Sequence, residues 1–311
     1  MHHFSTSTCF TMTDVPEIYP LWQIAIPKIA FSEDFLLHGL LAISALQLQH
    51  EKVSTPQPTS PSWLDLARTY QQSALSSYIP KLKTIDDQNC HALFALSAIL
   101  GGLSYAFLKF PEKDEDSSAA FVQNVIDIFD LLVGSSAIAV EGQQWLKKGP
   151  LEPLFTDPFK EREPPDPTSD VARSLDALLQ ADSRPHSPIS TSYTSSDAAS
   201  NQVVYLSSIH FLLRLFPSST PNTTSPFGSG NPSAAAVISW PVFLGPKFLS
   251  LLKAWDPKAL VILAHYAAAL HIREDIWYLK GLGYRLARAI YDVLSIEWRP
   301  FVALALAKTA S

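Results

Sequence analysis

Apolar residues in this chain recur at helical spacing and almost never alternate with polar ones. Residues 35–48, Phe-Leu-Leu-His-Gly-Leu-Leu-Ala-Ile-Ser-Ala-Leu-Gln-Leu, are too long for a strand, and Ser32 ahead of them is an N-cap residue type. Leu37, Leu40, Leu41 and Ser44 share one face while Leu36, Ile43 and Leu46 fill others, which predicts a central helix. Ser62 and Asp65 have capping-box spacing, and Trp63, Leu66, Tyr70, Ala74 and Tyr78 form a helical stripe that Pro80 ends. Helices are predicted over Asn89–Phe107, with Gly101-Gly102 as a place to bend, over about Ala120–Val133, and briefly at Trp145-Leu146. Val203–Phe216, Val242–Ala254, Ala259–Ile272 and Trp277–Leu294 complete the set. Nothing reads as strands joined by hairpin turns. The class expected is all-α.

Proline and serine punctuate these helices. Residues 54–62 carry Pro56, Pro58 and Pro61, and 156–170 are charged with four prolines. Residues 182–200 and 217–233 are Ser/Thr/Pro/Ala tracts that bury too little apolar surface to order themselves, and they are expected to be mobile insertions. The organisation expected is one helical domain over 1–311 interrupted by these two segments.

Composition changes this picture little. Charged residues make up 17% and the formal net charge is −6, so the chain lacks the Lys/Arg excess of a nucleic-acid surface. Cys9 and Cys90 are too few for a disulfide scaffold. No apolar segment follows a basic start, and the chain reads as intracellular and soluble. Gln88–Leu108 has no Asp, Glu, Lys or Arg and is long enough to span a bilayer, but Gln88, Asn89, His91 and the glycine pair suit a buried core helix better.

Catalytic patterns fail one by one. Lys280-Gly281-Leu282-Gly283 begins a dinucleotide-like glycine pattern, yet Leu286 stands where its third glycine belongs. His271-Ile272-Arg273-Glu274-Asp275 misses an inverted zinc-protease pattern at its last residue. Asp86-Asp87 lacks the third carboxylate of a magnesium-sharing helix. No nucleophile elbow or phosphate loop occurs. The expectation is no enzyme, no cofactor and no metal site. His38, His91, His210, His265 and His271 lie in apolar helices, where the plain reading is a core imidazole hydrogen-bonded across helices. The sharper reading has one or two of them holding the polar end of a buried ligand. Trp63, Tyr70, Phe94, Tyr266, Trp277 and Tyr278 are likewise core residues first and pocket lining second.

Several segments resemble a known family: Leu21-Trp22-Gln23-Ile24-Ala25-Ile26-Pro27, Phe31–Gln49, Tyr70…Ala74-Leu75…Tyr78-Ile79-Pro80, Asn89–Ala95 and Trp145-Leu146…Gly149-Pro150. The most specific are Ala259–Ala267, Trp277-Tyr278-Leu279-Lys280-Gly281 and Glu297-Trp298-Arg299-Pro300. They are similar to the C-terminal regulatory region of fungal zinc-cluster transcription factors, in the sterol uptake control branch. The resemblance implies a helical domain with an apolar cavity for a sterol or other hydrophobic ligand, transcriptional activation, a nuclear or shuttling location, and homodimers or heterodimers with a zinc-cluster regulator. A zinc cluster needs six thiolates; two cysteines 81 positions apart do not supply it, so no direct nucleic-acid contact is expected from this chain. The cavity is expected between Asn89–Phe107 and the pair Ala259–Ile272 and Trp277–Leu294, with His91, Phe94, Tyr105, His265, Tyr266 and Trp277 as candidate lining. Gly281 and Gly283 are candidate hinges, the plainer reading being close helix packing. The alternative function is a protein-interaction module that titrates a full-length regulator without a small ligand.

Overall fold

The computed structural model describes residues 1–52, 62–111, 117–154, 159, 166–181, 195–217 and 230–310. Every regular element among the described residues is helical, so the class is all-α. Its residues group into two compact units: Met1–Pro111, Leu131–Lys160 and Ile276–Tyr278 form the first, and Glu112–Asp130, Glu161–Asp275 and Leu279–Ser311 the second. Most of both Ser/Thr/Pro tracts lies outside the described residues.

The first unit opens with α1 (His2–Thr6) and, after a π-helical stretch over Leu21–Ala25, α2 (Ile26–Ala30). Its centre is α3 (Asp34–Lys52), which buries Leu36, Leu40, Ala42, Ile43, Ala45 and Leu46. The helix starts at Asp34, so Ser32 lies outside it rather than at its cap. α4 (Trp63–Lys81) runs back along α3: Tyr70 stacks on His38, Tyr78 meets Phe35, and Lys81 pairs with Glu33 at 2.8 Å. Ser62 caps α4 as its spacing predicts, accepting from the Asp65 N–H at 3.1 Å and donating its hydroxyl to the Asp65 carboxylate at 2.6 Å. Pro80 stands inside the last turn, where its missing N–H costs only the exposed end of the helix.

α5 (Cys90–Phe107) continues without a break through Gly101-Gly102. Both glycines are buried, and a Cβ on Gly102 would touch the Tyr278 ring at 3.8 Å, so close packing compensates their poor helix propensity. α3 comes near enough that a Cβ on Gly39 would sit 2.3 Å from Leu96 Cδ1. α6 (Ser118–Glu141) outruns the predicted Ala120–Val133 and gives its first turns to the second unit and the rest to the first. By length and composition α5 and α6 would each suffice to cross a membrane; 72% of the apolar window in α5 and 44% of that in α6 is buried inside the protein. α7 (Gln143–Leu146) closes this part of the chain.

The second unit is built around α12. It begins with α8 (Asp170–Gln180), capped by the Ser169 hydroxyl, and α9 (Ser195–Leu213), which starts eight residues before the predicted Val203. α10 (Ala234–Ser239) is capped by Ser233 and runs into a 3-10 turn at Trp240–Phe243. The chain then bends by 86° into α11 (Gly245–Lys253), so the predicted Val242–Ala254 helix is broken at Gly245, which has φ +73°. α12 (Pro257–Ile272) carries Pro257 in its first turn and the Asp256 carboxylate as its cap, and every residue from Lys258 to Leu270 is buried. A helix apolar on all faces belongs at a centre: α8, α9, α11, α13 (Leu282–Val293) and α14 (Ala303–Thr309) all pack on it. The predicted Trp277–Leu294 helix is two pieces, because Trp277–Lys280 form turns and Gly281, at φ +80°, reverses the backbone before α13.

Candidate functional site

The six candidate pocket residues fall into both units. His91, Phe94, Tyr105 and Trp277 belong to the first, His265 and Tyr266 to the second.

In the first unit, His91, Phe94 and Tyr105 lie on one side of α5, since spacings of three and eleven return to the same face. Gly149 lies against the imidazole: a Cβ there would stand 2.1 Å from His91 Cε1 and 2.4 Å from Nε2. His91 Nδ1 is buried and has no hydrogen-bond partner among the described residues. Burial holds this imidazole below its ordinary pKa, which keeps it neutral at pH 7. Tyr105 is fully buried. Trp277 is enclosed by protein: its indole N–H donates to Thr11 Oγ1 at 3.1 Å, His50 stacks on its ring, and its carbonyl accepts from Lys109 Nζ at 2.6 Å.

The N-terminal segment is thereby part of the unit, which its polar composition does not announce. Phe4, Thr8 and Cys9 are fully buried, Thr8 donates to Ser44 Oγ at 3.4 Å, and Gln47 of α3 donates to Ser7 Oγ at 3.3 Å. Burial raises the thiol pKa of both Cys9 and Cys90.

In the second unit, His265 is the core imidazole of the plain reading. Nδ1 donates to the Val261 carbonyl at 2.9 Å, which leaves Nε2 to accept the Ser174 hydroxyl of α8 at 3.1 Å. Both ring nitrogens are engaged, and burial lowers the pKa to about 4. Tyr266 donates to the Val237 carbonyl at 3.0 Å and stacks on Trp240, with ring centroids 4.6 Å apart. Phe129 meets both rings edge-on at 5.5 and 5.8 Å, and Phe248 meets Trp240 at 6.3 Å. These four rings are fully buried. Trp240 Nε1 and Ser239 Oγ are buried without a hydrogen-bond partner among the described residues. Sequence inspection missed Trp240, Ser239 and Phe248; a Trp-Pro pair at the junction of two short helices is the one local signal they leave.

The two glycines divide their work. Gly281 supplies the left-handed turn, with open space where its Cβ would be. Gly283 is where α13 touches α12: a Cβ there would lie 2.6 Å from the Ala267 carbonyl oxygen and 2.9 Å from both His271 N and Cβ. Polar contacts hold the turn between the helices. The Gly281 N–H donates to Glu274 Oε1 at 3.1 Å, and the buried Arg273 forks onto Asp275 at 2.9 and 2.8 Å while donating to the Pro232 carbonyl at 2.7 Å. That guanidinium keeps the Asp275 carboxyl below its ordinary pKa. Among the described residues no three His, Cys, Asp or Glu side chains gather as a metal ion would require.

Residues 1–148 match the family described as "Fungal specific transcription factor domain". The chain is also 24% identical over 298 residues to a "Zn(2)-C6 fungal-type transcription factor" of Gibberella zeae, an alignment covering 92% of this chain and 55% of the relative. Over 100 residues, 32% of this chain and 10% of the relative, it is 33% identical to "Sterol uptake control protein 2" of Saccharomyces cerevisiae. The chain thus spans about half the length of the first relative and a tenth of the second. The first of these relatives carries a transcription-factor name, as the family match over residues 1–148 does. The chain is thus similar to one zinc-cluster transcription factor over nearly its whole length, and to the fungal specific transcription factor domain over residues 1–148.

Proposed function

We propose that this chain is the regulatory, effector region of a nuclear fungal transcription regulator, and that a sterol or another hydrophobic molecule sets its state. The observation that carries the first part is the alignment of 92% of the chain with a zinc-cluster factor. Support for the ligand comes from the second unit, where the Trp240 indole N–H of the apolar aromatic cluster and the hydroxyl of its chain neighbour Ser239 are buried without a hydrogen-bond partner among the described residues. Such groups cost free energy until an acceptor or donor reaches them. A hydrophobe carrying one hydroxyl would satisfy them by wedging beside Trp240, with Tyr266 as the stacking face. The polar end falls to Trp240 and Ser239 because His265 is already fully bonded. Such a ligand shifts the domain only through a difference in affinity between two states.

The test is a thermal melt and a tryptophan-fluorescence titration of the purified chain with ergosterol delivered in cyclodextrin. The expected outcome is a higher melting temperature, as any ligand of the folded state must give, together with weaker binding in Trp240→Phe, which keeps the stack and loses the N–H. Unchanged melting and fluorescence would sink the ligand reading and leave the regulatory one standing. The second reading, an interaction module that titrates a zinc-cluster regulator, draws on Phe31 and Ile79, which are 73% and 58% exposed and flank the Glu33–Lys81 pair in sequence. Sedimentation of the chain alone and with a purified full-length zinc-cluster regulator tests it; a monomer in both cases counts against it.

A further inference from the structure

The aromatic cluster of the second unit is sealed. Trp240, Tyr266, Phe129 and Phe248 are fully buried, so a molecule reaches these rings only when a wall moves. Phe129 rides on the 24-residue α6, and Tyr266 on α12, the buried centre of the unit. The stretch that carries Trp240 is tied to α12 by the Tyr266 hydroxyl on the Val237 carbonyl. Phe248 sits on α11, only nine residues long. Of the four described residues with positive φ, two bracket this helix, Gly245 at +73° and Trp255 at +57°. Gly245 stands at the 86° bend with open space where its Cβ would be, so the backbone and not packing calls for glycine there. At the other end the Trp255 N–H donates to the Leu252 carbonyl at 2.9 Å and the Asp256 N–H to the Leu251 carbonyl at 3.0 Å. This pair of bonds ends a helix on a left-handed residue, usually glycine. A bulky indole in that conformation is strained. Asp256 beyond it is fixed, its carboxylate accepting from the Ala259 N–H and the Tyr205 hydroxyl, both at 2.9 Å. Besides the buried face of Phe248, Leu249 and Leu252, α11 is held by Lys253 on Asp130 at 2.8 Å and Lys247 on Ser200 Oγ. Both are exposed contacts of the kind that add little stability.

We propose that α11 is the movable wall of this cluster, swinging on the left-handed joints at Gly245 and Trp255 to admit a hydrophobic molecule beside Trp240. The strain at Trp255 disfavours the closed position and keeps the open one within reach. Closing buries Phe248, Leu249 and Leu252, so the open form is a minor state on which a ligand draws. The purpose of the motion rests on the hydrophobic-ligand reading; the motion itself does not.

The test follows amide hydrogen exchange of the full chain by mass spectrometry, comparing peptides from α11 with peptides from α12. Exchange at least 10-fold faster in α11 is expected. In Trp255→Asn, which suits the left-handed region, α11 should exchange several-fold more slowly while α12 is unchanged; Trp255→Gly takes its place if the asparagine variant fails to fold. Equal exchange in the two helices means that α11 opens only with the whole unit. Faster or unchanged α11 exchange in the Trp255 variant means that the indole holds the helix down. Either result overturns the proposal. Carbodiimide then joins the Lys253 amine to the Asp130 carboxylate as an amide and staples the wall shut, with Asp130→Asn treated in the same way as control. Association of ergosterol delivered in cyclodextrin, followed by tryptophan fluorescence, should be at least 10-fold slower in the stapled protein. Undiminished association overturns the wall and leaves the ligand reading standing. A fast-exchanging α11 in a protein whose melting and fluorescence ergosterol does not change upholds the motion and sinks the ligand reading.

Discussion

Adding one methyl group at Gly283 should destabilise the second unit although alanine is the better helix former. In an exposed helix the exchange gains about 1 kcal/mol. Here the new Cβ would meet the Ala267 carbonyl oxygen at 2.6 Å and the backbone and Cβ of His271 at 2.9 Å. None of these is the free end of a side chain, so relief requires α13 to move away from α12 by about 0.8 Å to reach an ordinary 3.4 Å contact. Overpacking of that kind costs about 1–3 kcal/mol, and three rigid contacts place this site at the upper end. The expected net loss for Gly283→Ala is about 1–2 kcal/mol, read as a lower urea midpoint at unchanged slope. Gly281→Ala should lose a similar amount for another reason, since a left-handed backbone costs roughly 1–2 kcal/mol with a side chain present. Asparagine tolerates that region, so Gly281→Asn should recover most of the loss while Gly283→Asn recovers none. A Gly283→Ala protein as stable as the parent would refute the contact. If reporter output nevertheless changed, the hinge reading of this glycine would replace the packing one.

Two further outcomes follow from burial. His265 is neutral in the fold with a pKa of about 4, below its unfolded value of 6.5, so the unfolded chain binds more protons between those limits. Stability should be flat above pH 6.5 and fall by about 3 kcal/mol as pH drops to 4; His265→Gln should remove that slope, and an unchanged slope would assign acid sensitivity elsewhere. The thiols of Cys9 and Cys90 are fully buried with raised pKa values, so a thiol reagent at pH 8 should label neither until urea opens the protein; rapid labelling of the native chain would contradict the packing around Thr8 and α5.

Helical periodicity located nearly every long helix because each buries a continuous apolar stripe. The cap at Ser62 was legible for the same local reason. What periodicity could not show were the positions where tertiary packing overrides local preference. Gly101-Gly102 reads as a break, yet both glycines are buried in α5 with Tyr278 beside Gly102. Trp277–Leu294 reads as one helix, yet a left-handed Gly281 divides it. Of the candidate site, the residue types were legible and their partners were not. His265 looks the same in sequence whether its ring meets a ligand or Ser174. Trp240 became visible only through its stack on Tyr266 and its unsatisfied N–H.

Ile276-Trp277-Tyr278 count with the first unit although their chain neighbours count with the second. The boundary of similarity and the boundary of folding therefore differ. A protein cut at residue 148, where the family match ends, loses Gly149 from beside His91, the buried Leu151 and Phe159, and the indole that Thr11 and His50 hold. Such a fragment would expose the sockets these side chains fill and should aggregate. Supplying residues 276–278 in trans would not repair it, because a tripeptide without its tether pays the full entropy of association. Anyone dissecting this protein by truncation should keep the late tripeptide covalently joined to the early helices.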